Sequence, residues 1–208
     1  MTKVRLLAGI AGLALLAGCG GQVQVGNVAT TTNVADSNVM VPEANASADS
    51  AVGNTAEAAP AVNLANDELT IVMANGSARH VNFGMARDEA VPMLTAALGA
   101  PTATGKNSEC GAGPLDNVDY KGGLTLYFQD GKFGGWAVDG RDGGSYATGN
   151  GIGIGSTLKE MQAAGEVNVE ESSIGHEFTA GGVSGLLSAN GPAGKVTDLW
   201  AGLDCIMR

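Results

Sequence analysis

The stretch GLTLYFQDGKFGGWAVDG, residues 123–140, constrains the fold more than any other part of the chain. Leu124, Leu126 and Phe128 alternate, Asp130-Gly131 forms a turn pair, and Phe133, Trp136 and Val138 lead back. Successive side chains of a strand point to opposite faces, so this pattern reads as a β-hairpin with one apolar face.

Other stretches support an α+β chain. ELTIVMANG at 68–76 alternates and ends in the turn pair Asn75-Gly76, and ARHVNF at 78–83 supplies a partner strand. MARDEAVPMLTAALGAP at 85–101 predicts a helix, with Val91, Leu94 and Leu98 on one face and Gly99 and Pro101 as the stop. Pro92 either kinks this helix or marks its first turn near Val91. GSTLKEMQAAG at 155–165 predicts a second, short helix, with Thr157 and Glu160 spaced as a capping box. IGHEFTA, VSGLLSA and KVTDLWAGL, at 174–180, 183–189 and 195–203, predict a meander of three strands.

The order helix-then-strands therefore occurs twice. The stretch from Gly84 aligns with that from Gly155 at an offset of 71 residues, Lys132 with Lys195 at 63, and Trp136 with Trp200 at 64. A drifting offset with few identities fits an internal repeat and also fits two unrelated α+β stretches. On this reading residues 67–208 form one α+β domain with halves 67–149 and 150–208.

At these residues a resemblance emerges. Gly84–Thr102 with Leu124–Trp136, and more faintly Gly155–Ala164 with Val183–Trp200, look like the β-lactamase-inhibitor-protein-like fold, which includes the SmpA/OmlA small outer-membrane lipoproteins. The resemblance implies short helices packed on one face of an antiparallel sheet, two tandem repeats, and a sheet face offered to a protein partner. No contact residue of that family matches a position here, and a fold does not fix a function.

The N-terminus carries an address. Lys3 and Arg5 precede an apolar run from Leu6 to Ala17, about twelve residues against the roughly twenty that span a bilayer. Such a run fits the h-region of a secretory signal. Leu16-Ala17-Gly18-Cys19 resembles the bacterial lipobox, in which cleavage leaves the cysteine as the new N-terminus. By that resemblance residues 1–18 are a signal peptide and the Cys19 sulfur is lipidated; two or three acyl chains hold a protein durably on a bilayer. Gly20 follows where an aspartate would favour inner-membrane retention, so the family rule implies an outer-membrane protein facing the periplasm.

Residues 19–66 then read as the lipidated cysteine and a flexible tether. Residues 20–66 hold Asp36, Glu43, Asp49 and Glu57, no Lys, Arg or aromatic residue, and no steady periodicity. Such a tether reaches roughly 35–40 Å. Ordering of this segment on a sheet edge, through Val23, Val25, Val28 and Val34, is the alternative. The chain carries a formal net charge of −10, and residues 67–208 hold nine basic and seventeen acidic residues. That balance excludes nucleic acid as a partner and leaves the lipid, not charge, to hold the protein on a membrane.

Three cysteines are present. With Cys19 used by lipid, Cys110 and Cys205 remain in an oxidising compartment and pair economically as one disulfide; two free thiols or a metal pair are the alternatives. His80 and His176 lack the close cysteine spacing a metal site wants, and no metal or other cofactor is expected.

Candidate chemistry is sparse. His176 and Glu177 are adjacent on a predicted strand and so point to opposite faces. There is no G-x-S-x-G elbow, and Ser156 and Ser184 fit helix capping and turns. Asp130, Asp139 and Asp142 are spaced as turns, not as a calcium loop. GNGIGIG at 149–155 is glycine-rich but lacks the lysine of a phosphate loop and reads as a connector between halves. Trp136 and Trp200 are either core anchors or, with Tyr127, partner-binding residues on a sheet face. The chain is thus expected to be a non-enzymatic envelope lipoprotein that binds a protein or stabilises an assembly. The alternatives are an inhibitor or small-ligand binder of the same fold, or a hydrolase assembled from His176, Asp142 and Ser184.

Overall fold

A computed structural model describes residues 59–206. The expected signal peptide, Cys19 and most of the expected tether lie outside the described residues. The folded part starts earlier than the boundary at residue 67: strand β1 spans Ala61–Leu64, with Val62 and Leu64 buried. Four residues carry too little alternation to register as a strand in the sequence.

β2 (Glu68–Val72) and β3 (Ala78–Asn82) form the predicted hairpin. Helix α1 covers Arg87–Leu98. Asp88 and Glu89 sit favourably in its first turn, and the Gly99 N–H closes it on the Thr95 carbonyl at 2.9 Å. The reading that Pro92 marks the first turn is corrected: the helix starts at Arg87, so Pro92 lies in its second turn, where burial of Ala90 and Leu94 offsets the lost hydrogen bond.

β4 (Ala103–Asn107) and β5 (Leu115–Tyr120) follow, then the hairpin β6 (Leu124–Gln129) and β7 (Lys132–Asp139). Asp130 and Gly131 both take positive φ at its turn, as the Asp-Gly pair predicts. After β8 (Ala147–Thr148), α2 spans Leu158–Ala164, and its capping box is formed: the Glu160 N–H donates to the Thr157 hydroxyl at 3.2 Å, and the Thr157 N–H to the Glu160 carboxylate at 2.7 Å. β9 (Asn168–Ser172), β10 (Gly175–Ala180), β11 (Val183–Leu187) and β12 (Val196–Gly202) complete the chain.

These strands make two sheets. One has eight strands, all antiparallel, in the order β4-β5-β6-β7-β12-β11-β10-β9. The other has four, in the order β3-β2-β1-β8, with β1 and β8 parallel. The class is α+β, but the expected layer of helices on one sheet face is corrected. The small sheet supplies Val62, Leu64, Leu69, Ile71 and Val81 to the core, whereas the helices supply only Ala90, Leu94, Leu158 and Met161 as buried members. Two helices of twelve and seven residues are too short to cover an eight-stranded sheet.

A helix followed by four antiparallel strands occurs twice, and the two sets meet at β7–β12. The loops entering the helices make matching bonds. Gly84 N–H donates to Phe133 O, Phe133 N–H to Met85 O, and Arg87 N–H to Gly131 O. In the second set Gly155 N–H donates to Val196 O, Val196 N–H to Ser156 O, and Leu158 N–H to Gly194 O. Ala86 bridges Lys132 as Thr157 bridges Lys195. Register shifts fall at Tyr127/Phe128 in one set and at Leu186/Leu187 in the other.

Candidate functional site

Strand parity divides the eight-stranded sheet. Val118, Leu126, Trp136, Ala201 and Phe178 occupy the core face. The opposite face carries, in register across seven strands, Asp119, Thr125, Ala137, Trp200, Ser184, Thr179 and Asn168. A neighbouring row reads Asp139, Asp198, Leu186, Glu177 and Glu170. Four carboxylates in one row make this face acidic. Arg141 lies beside it, ion-paired with Asp139, whose carboxyl it holds below the ordinary aspartate value; Asp139 first, then Asp198 and Asp142, raise the guanidinium pKa in turn.

The C-terminal segment after β12 folds back over this face. The Leu203 N–H donates to the Gly134 carbonyl at 2.8 Å, and Leu203 lies so close over Gly134 and Gly135 that neither position has room for a Cβ. This close approach is what the paired glycines of FGGW permit. Two residues on, Cys205 is joined to Cys110 at an S–S distance of 2.02 Å, so the expected pairing is present. Asn107 Nδ2 donates to the Cys205 sulfur at 3.0 Å.

Beside the bridge, Tyr127 is half-buried in a hollow of about 340 Å³ with Leu115, Asn117, Asp119 and Thr125. Asp119 accepts from Asn117 Nδ2 at 3.1 Å and from the Thr125 hydroxyl at 3.0 Å. Burial, then the charges of Asp119, Asp204 and Asp139, push the Tyr127 phenol up, so it stays protonated as a donor.

Of the two tryptophans, Trp136 is fully enclosed, and its indole N–H donates to the Ala65 carbonyl at 2.8 Å, pinning the β1–β2 turn to the large sheet. Trp200 is 3% exposed, on the opposite face. The partner-binding reading of these two positions is therefore corrected to buried anchors; Tyr127 alone keeps an accessible edge. The 64-residue alignment of the tryptophans is also corrected. The matching bonds at Phe133 and Val196 give an offset of 63, which equates Trp136 with Leu199 and Trp200 with Ala137.

The hydrolase residues are not brought together. His176, level with Leu187, and Ser184, level with Thr179, face opposite sides of the sheet, and His176 pairs with Glu171 at 2.6 Å. His80 pairs with Glu68 at 3.0 Å. No cluster of metal-ligating side chains occurs among the described residues. The sequence reading missed the acidic row because β9 and the parity of β12 were not legible; the only signal was the spacing of Glu170, Glu177 and Asp198 on alternating stretches.

No family model, curated protein or solved structure matches this chain.

Proposed function

We propose that this chain is a bacterial envelope lipoprotein, held by acylated Cys19 in the outer membrane facing the periplasm, whose folded part binds another envelope protein rather than catalysing a reaction. Its two α-ββββ sets are read as tandem repeats similar to the β-lactamase-inhibitor-protein-like fold. The matched bonds at Gly84, Met85 and Arg87 and at Gly155, Ser156 and Leu158 support that reading. The observation that carries the binding role is the row Asp139, Asp198, Glu177 and Glu170 on a sheet face opposite the core. Such a row suits a partner that presents lysine or arginine, because complementary charge speeds and orients encounter.

The test uses the full chain, tagged, in a Gram-negative host. The native chain is expected in outer-membrane fractions, and Cys19→Ser in the soluble fraction. Crosslinking is expected to capture a partner whose yield falls when Glu170, Glu177 and Asp198 are changed together to lysine. Intact chain in the cytoplasm with residues 1–18 attached would end the envelope reading. Capture unaffected by the triple change would end the assignment of the acidic face.

A further inference from the structure

We propose that the cleft beside α2 is a binding site for a chiefly aliphatic small molecule with a cationic amine head. The cleft has a volume of about 450 Å³, within the usual range for small-molecule sites. Its floor is apolar: Leu64, Met161, Phe178, Val183 and Leu199, each nearly buried. Its mouth is polar, with Asn66, Asn150 and Glu166 exposed there. Glu166 is the only charged residue in the lining, and no lysine, arginine or histidine contributes to it.

The hollow has an identifiable origin in the two sets of elements. The matched bonds place α1 and α2 in equivalent positions at an offset of 71 residues, from Arg87 to Leu158. At that offset Ala90 corresponds to Met161, and Leu94 corresponds to Gly165. Leu94 is completely enclosed and fills its half of the core. Gly165, just past the end of the shorter α2, is exposed and lies at the edge of the cleft. α2 ends at Ala164, before the position equivalent to Leu94, so no helical residue of the second half fills that place. The missing volume is aliphatic in kind, which sets the chemistry of the ligand's body.

The mouth sets the chemistry of the head. Asn66 is seated against Gly182 in the β10–β11 turn, where even a methyl group would collide with it, which places this amide at the rim. The Ala65 carbonyl next to it is bound to the Trp136 indole, which anchors the same turn. Two amides accept or donate hydrogen bonds to any small polar head, whereas the lone carboxylate of Glu166 favours a cation and repels an anion.

The test uses the full-length chain carrying Cys19→Ser and methionines labelled with carbon-13 methyl groups, titrated with octylamine, octanol and octanoate. Octylamine is expected to bind best, octanoate worst, with shifts concentrated on Met161. Gly165→Leu, which adds bulk at the edge of the cleft, is expected to weaken binding while the chain stays folded, because φ at Gly165 is 171°, an extended value open to any residue. Its fold is checked by thermal unfolding. Glu166→Gln, which leaves the floor intact, is expected to weaken octylamine about two- to fivefold and leave octanol unchanged. Equal or better binding of octanoate, no response at Met161, or equal responses at Met73, Met85 and Met93 would overturn the proposal. The native partner plays no part in the measurement, so its outcome is independent of the acidic-face reading.

Discussion

Ala137 and Trp200 stand directly opposite each other across the β7–β12 seam, at the centre of the eight-stranded sheet. On either side Trp136 faces Ala201 and Val138 faces Leu199, so the pairing repeats when the two strands exchange roles. The seam is therefore pseudo-symmetric in its backbone and asymmetric in its side chains. Trp136 on β7 fills the core face, and Trp200 on β12 fills the other. Compensation of the same kind occurs one strand out. Leu126 lies against Val118, whereas Gly185, without a side chain, makes room for the ring of Phe178.

Replacing Trp136 with Phe tests the core role. The ring volume falls and the Ala65 carbonyl loses its donor, so the chain is expected to lose about 1–3 kcal/mol of stability. Urea unfolding followed by circular dichroism measures this. A loss confined to a few tenths would show that the β1–β2 turn is held by other contacts.

The disulfide links residues 95 apart in sequence. Its removal by Cys110→Ser with Cys205→Ser is expected to cost about 2–5 kcal/mol. Reductant should lower the unfolding temperature of the native chain to that of the double variant and leave the variant itself unchanged. Differential scanning calorimetry with and without reductant reads both.

Gly135→Ala places a methyl group where the Leu203 backbone runs. A cost of about 1–3 kcal/mol is expected from overpacking. Because the clash is with the C-terminal segment, releasing that segment with Cys205→Ser should make the glycine substitution cheaper. A double-mutant cycle in urea measures the coupling, and strict additivity would show that Leu203 holds its place without the bridge.

The pH dependence of Glu68 follows from its partners. A hydrogen bond from His80, then one from Thr70 at 2.8 Å, holds its carboxyl below the ordinary glutamate value, with burial opposing. The folded value is lower than the unfolded one, so this contribution is complete above the ordinary glutamate range and is lost as pH falls through the depressed value. His80 is exposed and Glu68 half-buried, so solvent screens the pair and about 0.2–1 kcal/mol is at stake. In His80→Ala the Glu68 carboxyl should titrate at higher pH, as read by carboxyl carbon NMR.

Local structure was legible where a short stretch contains its own cause. The Asp130-Gly131 turn, the Thr157–Glu160 capping box and the Asn75-Gly76 hairpin all follow from spacing and residue type, whereas the pairing of Cys110 with Cys205 followed from the cysteine count and the expected compartment. The strands β1, β4, β5 and β9 were not legible, because AVNL, ATGKN, LDNVDY and NVEES show little alternation and owe their conformation to neighbours across the sheet.

By itself the sequence determined an α+β chain whose hairpins and helix caps are set by bonds between near neighbours. Only the tertiary structure decided which face each tryptophan takes, because a one-residue difference in register moves a side chain to the other side of a sheet. It also decided that Glu170, Glu177, Asp198 and Asp139 share one row, and that a cleft lies beside the end of α2 whereas Leu94 of α1 is fully enclosed. Such placements depend on pairings between residues far apart in the chain, and spacing within a single stretch carries no record of them.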